Sequence, residues 1–218
     1  MGDFHVRKIE DKHDRRRMYQ YALNDIEAFE LMLKENMFED GNPWIGAEQE
    51  LCIVDKHYDP TTSALHLLEK INDEHYTNEL ALFNLEINLD PLPLGGACFS
   101  NMEKALINLM QKGYKLAKKQ NEHILMTGIL PTLKYHHLHA DYMTPIERYQ
   151  TLSDAISAIR GSKFEVYMQG VDDLIMSLGS VLFEACNTSF QLHLQIKPAE
   201  FVNQHNWSQM IAGPVLSA

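Results

Sequence analysis

Two glutamates stand two residues apart in Gly46-Ala47-Glu48-Gln49-Glu50-Leu51, and a third lies between two amides in Asn84-Leu85-Glu86-Ile87-Asn88. Later in the chain Gln191, His193 and Gln195 alternate with Phe190, Leu192, Leu194 and Ile196. Residues two apart on an extended chain point to the same side. Three strands sharing one sheet would therefore gather Glu48, Glu50, Glu86, Asn88, Gln191, His193 and Gln195 on its polar side. The opposite side would carry Phe83, Leu85, Ile87 and Leu89 from the second strand and Phe190, Leu192, Leu194 and Ile196 from the third, all facing the core. Carboxylates held close together repel and resist ionising side by side. A divalent cation removes that conflict, and carboxylate, amide and water oxygens with at most one imidazole suit Mg²⁺ or Mn²⁺. The competing reading is an ordinary solvated face, which antiparallel sheets commonly have. Residue type weighs against it. Such faces are rich in Lys, Thr, Arg and Ser, whereas here only Lys197 is basic.

The elements that must position these groups follow from periodicity and punctuation. Met18, Tyr21, Ala22, Ile26, Phe29 and Leu33 recur at helical spacing, and Asp40-Gly41-Asn42-Pro43 breaks that helix. Strands are predicted over Trp44 to Asp55 and Leu82 to Leu89, with a short helix around Leu65 to Ile71 between them. Ser100-Asn101-Met102-Glu103 has capping-box spacing and opens a helix to about Asn121. Ile124 to Leu130 reads as a strand. Thr144-Pro145-Ile146-Glu147 repeats the capping-box pattern, with Pro at the first helical position, before a helix to about Ile159. Phe164 to Val171 fits either state, Val181 to Ile196 reads as a strand, and Pro198 opens a last helix. Strands and helices mix without regular βαβ alternation, which predicts an α+β domain with a mainly antiparallel sheet and flanking helices. A charged, flexible segment is expected over 1–17 and the domain proper over 18–218.

Several of these segments resemble the type 2 glutamate–cysteine ligases, or carboxylate–amine ligases. Gly46 to Leu51 is similar to that family's Gly-x-Glu-x-Glu opening, and Asn84 to Asn88 to its second motif, a Glu after a hydrophobic strand. Thr127-Gly128-Ile129-Leu130-Pro131 resembles its Thr-Gly-x-x-Pro segment, Arg148-Tyr149 its Arg-Tyr pair, and Cys186 to Ile196 its late strand. The resemblance implies a glutamine-synthetase-like fold, a curved sheet forming a funnel with helices outside. It also implies a reaction: ATP phosphorylates a carboxylate, often the γ-carboxylate of glutamate, and an amine such as cysteine displaces the phosphate to give an amide. By position, Glu48, Glu50 and Glu86 would be metal ligands, Arg148 and His193 catalytic contacts to the transferring phosphoryl group or its metal, and Asn88, Gln191, Gln195 and Thr127 contacts to ATP or substrate. Two registers of the late strand stay open. One matches His193 and Gln195 to the family's bacterial His pair, the other matches Gln191 and His193 to its plant-type amides. Since the family continues with further strands, the chain is expected to be the N-terminal part of a ligase domain.

Composition narrows the alternatives. A net charge of −11 repels phosphate backbones and anionic lipid, so neither nucleic acid nor a membrane surface is the expected partner. Cys52, Cys98 and Cys186 lack zinc-type spacing and read as reduced thiols in the cytoplasm. Cys52 falls on the carboxylate side by parity, where a structural thiol is the simpler reading. His136, His137, His139 and Asp141 cluster without a metal-ligand pattern and read as a polar loop. Arg15-Arg16-Arg17 reads as a solvated helix start. A homo-oligomer and a fused C-terminal region are both compatible with the sequence. Two other functions fit the same residues: a non-catalytic, ligase-like module that binds nucleotide or amino acid, and a metal-dependent hydrolase that needs no ATP.

Overall fold

The computed structural model describes Val6, Ile9 and residues 11–217, so the first part of the charged opening lies outside the described residues. In order, the elements are α1 (Lys12–Lys34), β1 (Trp44–Val54), α2 (Ala64–Ile71), β2 (Tyr76–Asn78), β3 (Asn84–Asn88), β4 (Leu92–Pro93) and α3 (Cys98–Lys118). Then follow β5 (His123–Leu125), α4 (Glu147–Arg160), β6 (Phe164–Gln169), β7 (Asp173–Leu178), β8 (Phe190–Leu194) and α5 (Phe201–Leu216). Two units divide the chain. The first comprises Met1–Val6, Ala47–Asp90 and Ala97–Leu192, the second Arg7–Gly46, Pro91–Gly96 and His193–Ala218.

In the first unit β3 lies between β2 and β1, and β5 and β8 also pair with β1. The ladders of β1 with β3 and β5, and of β2 with β3, are antiparallel. Alternation in β1 is as its sequence predicts: Ala47, Gln49, Leu51 and Ile53 are buried, while Glu48 and Glu50 are only half-buried. Leu85 and Ile87 of β3 are fully buried beside them. The α2 positions Ala64, Leu67 and Ile71 and the α3 positions Met102, Met110, Gly113 and Ala117 recur at helical spacing and are buried. These helices pack on each other, α2 on β2 and α3 on β5. The protein is thus α+β with an antiparallel sheet.

Gly113 marks the closest approach of α3 to the sheet. A Cβ there would lie 2.6 Å from the Tyr76 hydroxyl and 3.1 Å from Ile124 Cδ1. The Tyr76 hydroxyl cannot simply retreat, because it donates to the Leu109 carbonyl at 2.7 Å. Gly113→Ala is therefore expected to destabilise the fold by about 1–3 kcal/mol despite the better helix propensity of alanine. Urea denaturation followed by circular dichroism measures this.

A second apolar cluster joins Ala81 and Phe83 to Met143, Val181, Leu182 and Ala185. It explains one departure from expectation. Val181–Cys186 is a 3-10 helix rather than the start of a strand, since that winding turns Val181, Leu182 and Ala185 to the same core while Ser180 caps the Leu182 N–H. The strand begins only at Phe190. Its apolar side does not face a core as expected: Phe190, Leu192 and Leu194 are 45%, 52% and 51% exposed. Parity assigns a side to each residue, but covering that side takes another element.

Neither capping box forms. The N-cap of α3 is Ala97, ahead of Ser100, and that of α4 is Ile146, each without a side-chain bond. The ambiguous stretch from Phe164 pairs with β7 as a hairpin, Phe164 opposite Leu178 and Gln169 opposite Asp173. The strand expected over Ile124 to Leu130 is confined to β5.

In the second unit, α1 begins at Lys12 behind an Asp11 N-cap, so Arg15–Arg17 lie in its early turns, and none of its residues is buried. Trp44 and Ile45 pair with Pro93 and Leu92. The Gln195 N–H donates to the Trp44 carbonyl at 2.9 Å, and its side chain donates to Glu39 at 3.0 Å. Among the described residues no helix is long and apolar enough to cross a membrane.

Candidate metal centre

Strand register sets the core of the site. Glu50 lies directly opposite Glu86 in the β1–β3 ladder, with Glu48 opposite Asn88 and Cys52 opposite Asn84. The third carboxylate, Glu79, comes from the link between β2 and β3. One oxygen from each of Glu50, Glu79 and Glu86 lies within 4.8 Å of the others.

Glu79 reaches this place because its segment is tied down. The buried Thr144 hydroxyl donates to the Glu79 carbonyl at 2.6 Å, the Thr144 N–H donates to Leu80, and the Leu82 N–H donates to Tyr142. Ala81 and Phe83 pack into the second apolar cluster, which prevents the segment from swinging outward. Thr144, read from sequence as a helix cap, is instead spent on holding Glu79. The Tyr149 hydroxyl, 3.1 Å from Asn78 Nδ2, closes the same corner.

The site is polarised by burial. The Glu79 carboxyl is pushed up to about 8, first by burial and then by the charge of Glu86, to which it is hydrogen-bonded. Glu86, 6% exposed, is also raised. Burial is the main cause, the charges of Glu48 and Glu50 add to it, and a 2.7 Å bond from Asn88 Nδ2 partly offsets it. Tyr149 is raised to about 12 by burial and by Glu79. Glu50 is fixed from the β8 side. It accepts from the Ser189 N–H at 2.7 Å, the Ser189 hydroxyl at 3.2 Å and Gln191 Nε2 at 3.4 Å.

A cavity of about 330 Å³ opens on this cluster, lined by Glu50, Glu79, Leu80, Asn84, Glu184, Ala185, Asn187, Thr188 and Ser189. The lining has no basic side chain. Inside it, Asn84 is 2% exposed and its Oδ1 finds no hydrogen-bond partner. Converging carboxylates and an orphaned carbonyl, with no basic side chain in the lining, fit a hard divalent cation, which accepts six or more oxygens including water. Glu50, Glu79 and Glu86 are the residues placed to hold it.

The other residues singled out by sequence fall as follows. Glu48 is on the same side of β1 and acts on Glu86 electrostatically, but it is outside the three-carboxylate convergence. Asn88 and Gln191 hold Glu86 and Glu50, respectively. The Thr127 carbonyl accepts from the Thr188 hydroxyl, beside the cavity wall, and its own hydroxyl donates to Ile129. Arg148 is half-buried in the first turn of α4, four residues after Thr144. His193 and Gln195 belong to the second unit and are not among the cavity lining. Cys52 is buried, which pushes its thiol up to about 11 and keeps it protonated and inert. His137 is buried in a 3-10 turn and its Nδ1 accepts from the Lys134 N–H, a structural use. One more acidic group, Asp11, His13 and Asp14, sits at the α1 N-terminus, where Asp11 serves as the cap.

Sequence reading missed Glu79. Its only signal was a lone carboxylate directly before the apolar run Leu80-Ala81-Leu82-Phe83, seven residues ahead of Glu86. No protein-family model, curated protein or solved structure matches the chain.

Proposed function

We propose that this protein is an ATP-dependent, Mg²⁺- or Mn²⁺-requiring carboxylate–amine ligase, with a glutamine-synthetase-like sheet and a glutamate-like acyl substrate. The observation that carries the reading is the convergence of Glu50, Glu79 and Glu86 beside an acidic cavity that Glu50 and Glu79 line. Such a cavity repels ATP unless a cation intervenes; a bound cation supplies the positive charge that offsets the phosphates and the developing charge of transfer. The reaction class requires a carboxylate oxygen to form a bond to the γ-phosphorus as the bond to the ADP oxygen breaks. The amine nitrogen then attacks the acyl carbon, phosphate leaves, and the nitrogen gives up a proton. The chain's own residues contribute position. Ser189 and Gln191 hold Glu50 in one orientation, and Asn88 donates to one Glu86 oxygen. Arg148 is assigned to the phosphoryl group, because guanidinium pairs with phosphate oxygens. The three free cysteines agree with a reducing cytoplasm, the compartment where ATP and free amino acids are the available partners.

A coupled ADP-release assay over a panel of amino acids and amines, with and without Mg²⁺, tests the reading. ADP formation that requires Mg²⁺, a carboxylate and an amine together is expected, with turnover at least roughly 100-fold lower in Glu50→Gln. Nucleotide binding without product would point to a regulatory module, and hydrolysis without ATP to a metal-dependent hydrolase; either result overturns the ligase.

A further inference from the structure

We propose that Asn84 is a further ligand of the same cation, its side-chain oxygen completing the set formed by Glu50, Glu79 and Glu86. This inference rests on the cation reading above and adds a neutral ligand to it.

The placement is a consequence of the sheet. Asn84 precedes Glu86 by two residues on β3, so both side chains leave the strand on one side, and its register partner Cys52 follows Glu50 by two on β1. Asn84 and Glu50 accordingly line one cavity, together with Glu79. The amide does not turn freely. Its Nδ2 is 3.7 Å from Cys52 Sγ, which leaves Oδ1 on the opposite arm, sealed from solvent and without a donor.

Buried carbonyls in folded proteins nearly always have a partner, and one without calls for a missing group. No described side chain supplies the donor. Glu50, Glu79 and Glu184 of the lining are carboxylates, which accept, while the Thr188 hydroxyl donates to the Thr127 carbonyl and the Ser189 hydroxyl to Glu50. An electropositive centre between them satisfies the amide oxygen and the carboxylates at once. Amide oxygens are ordinary ligands for hard cations, and a neutral one lets the site hold a dication without adding a fourth negative charge. Cys52 beside it is not suited to that role. Its protonated thiol is a poor ligand, and its contact with Nδ2 serves to orient the amide.

The test is Mn²⁺ titration of the full chain by electron paramagnetic resonance, comparing wild type, Asn84→Leu, Asn84→Asp and Glu79→Gln. Asn84→Leu keeps the side-chain volume but has no oxygen, so affinity is expected to fall by roughly 10-fold or more. Asn84→Asp retains an oxygen and is expected to bind at least as tightly as wild type. Should Asn84→Leu bind like wild type while Glu79→Gln does not, Asn84 is not a ligand although the carboxylate site stands. Absence of Mn²⁺ binding by wild type overturns both. If Asn84→Leu does not fold, ¹³Cγ-asparagine labelling of the wild-type chain decides. The Asn84 carbonyl resonance, identified by its loss in Asn84→Asp, is expected to shift as Mg²⁺ saturates, and an unmoved resonance refutes the assignment.

Discussion

Glu79→Gln is expected to weaken Mn²⁺ binding by roughly 100-fold or more and to remove Mg²⁺-dependent turnover with it. Glu79 is one of the three carboxylates whose oxygens converge within 4.8 Å, and it is the one held from outside the two central strands. Glutamine keeps the volume and one oxygen but withdraws the charge that balances a dication. The substitution should not unfold the chain. Glu79 is anchored through its backbone carbonyl to Thr144 and through Leu80 and Ala81 to their neighbours, and the bond its carboxylate accepts from the Leu80 N–H at 3.3 Å can equally be accepted by the glutamine oxygen. Isothermal titration calorimetry, with circular dichroism as the check on folding, makes the measurement. Glu184→Gln is the matched control. Glu184 lines the same cavity but is exposed and outside the convergence, so a change under about 3-fold is expected there. Equal losses in the two variants would mean that the cavity attracts cations only through its general negative charge.

The second large effect is on stability, and its sign follows from Glu79. Its ordinary value of 4.5 applies in the unfolded chain, while in the folded protein the group is pushed up to about 8. The folded state therefore binds this proton more tightly than the unfolded state does. That contribution is complete below the unfolded value and is lost as pH rises through the folded one. Glu86 is displaced in the same direction and adds to the trend. Without divalent cations, the melting temperature is expected to fall between about pH 5 and pH 9 through this pair. Allowing for the water that still reaches the cavity, a loss on the order of 2 kcal/mol corresponds to roughly 4–8 °C for a chain of this size. Millimolar Mg²⁺ is expected to abolish most of the fall, since a cation that replaces the shared proton stabilises the ionised cluster by mass action. Glu79→Gln should flatten the profile in the absence of cation and make it insensitive to Mg²⁺. Differential scanning calorimetry across this range, with chelator and with Mg²⁺, reads all three. A melting temperature that rises with pH in chelator would contradict the raised carboxyl.

The local part of this design was legible in the residues. Alternation over Ala47 to Ile53 and Asn84 to Asn88 determined which side chains of β1 and β3 could be partners, because a strand's two-residue period leaves no choice once one face is apolar. It placed Glu50 and Glu86 on one side before any pairing was known. The α+β class and the antiparallel sheet followed from the same pattern.

Three things were decided only in three dimensions. Register is one: that Glu50 meets Glu86, and not Asn84 or Asn88, depends on how the two strands slide against each other as the chain packs. Glu79 is the second, since it lies on a link with no period of its own and reaches the cluster through Thr144 and a hydrophobic cluster assembled from segments about 100 residues apart. The third is what covers a face. Phe190, Leu192 and Leu194 carry the same alternation as Leu85 and Ile87, yet the first three are half-exposed and the last two fully buried. Periodicity is a property of the backbone and can be read along the chain. Convergence and burial depend on which distant segment arrives opposite, and that is settled by the packing of the whole unit.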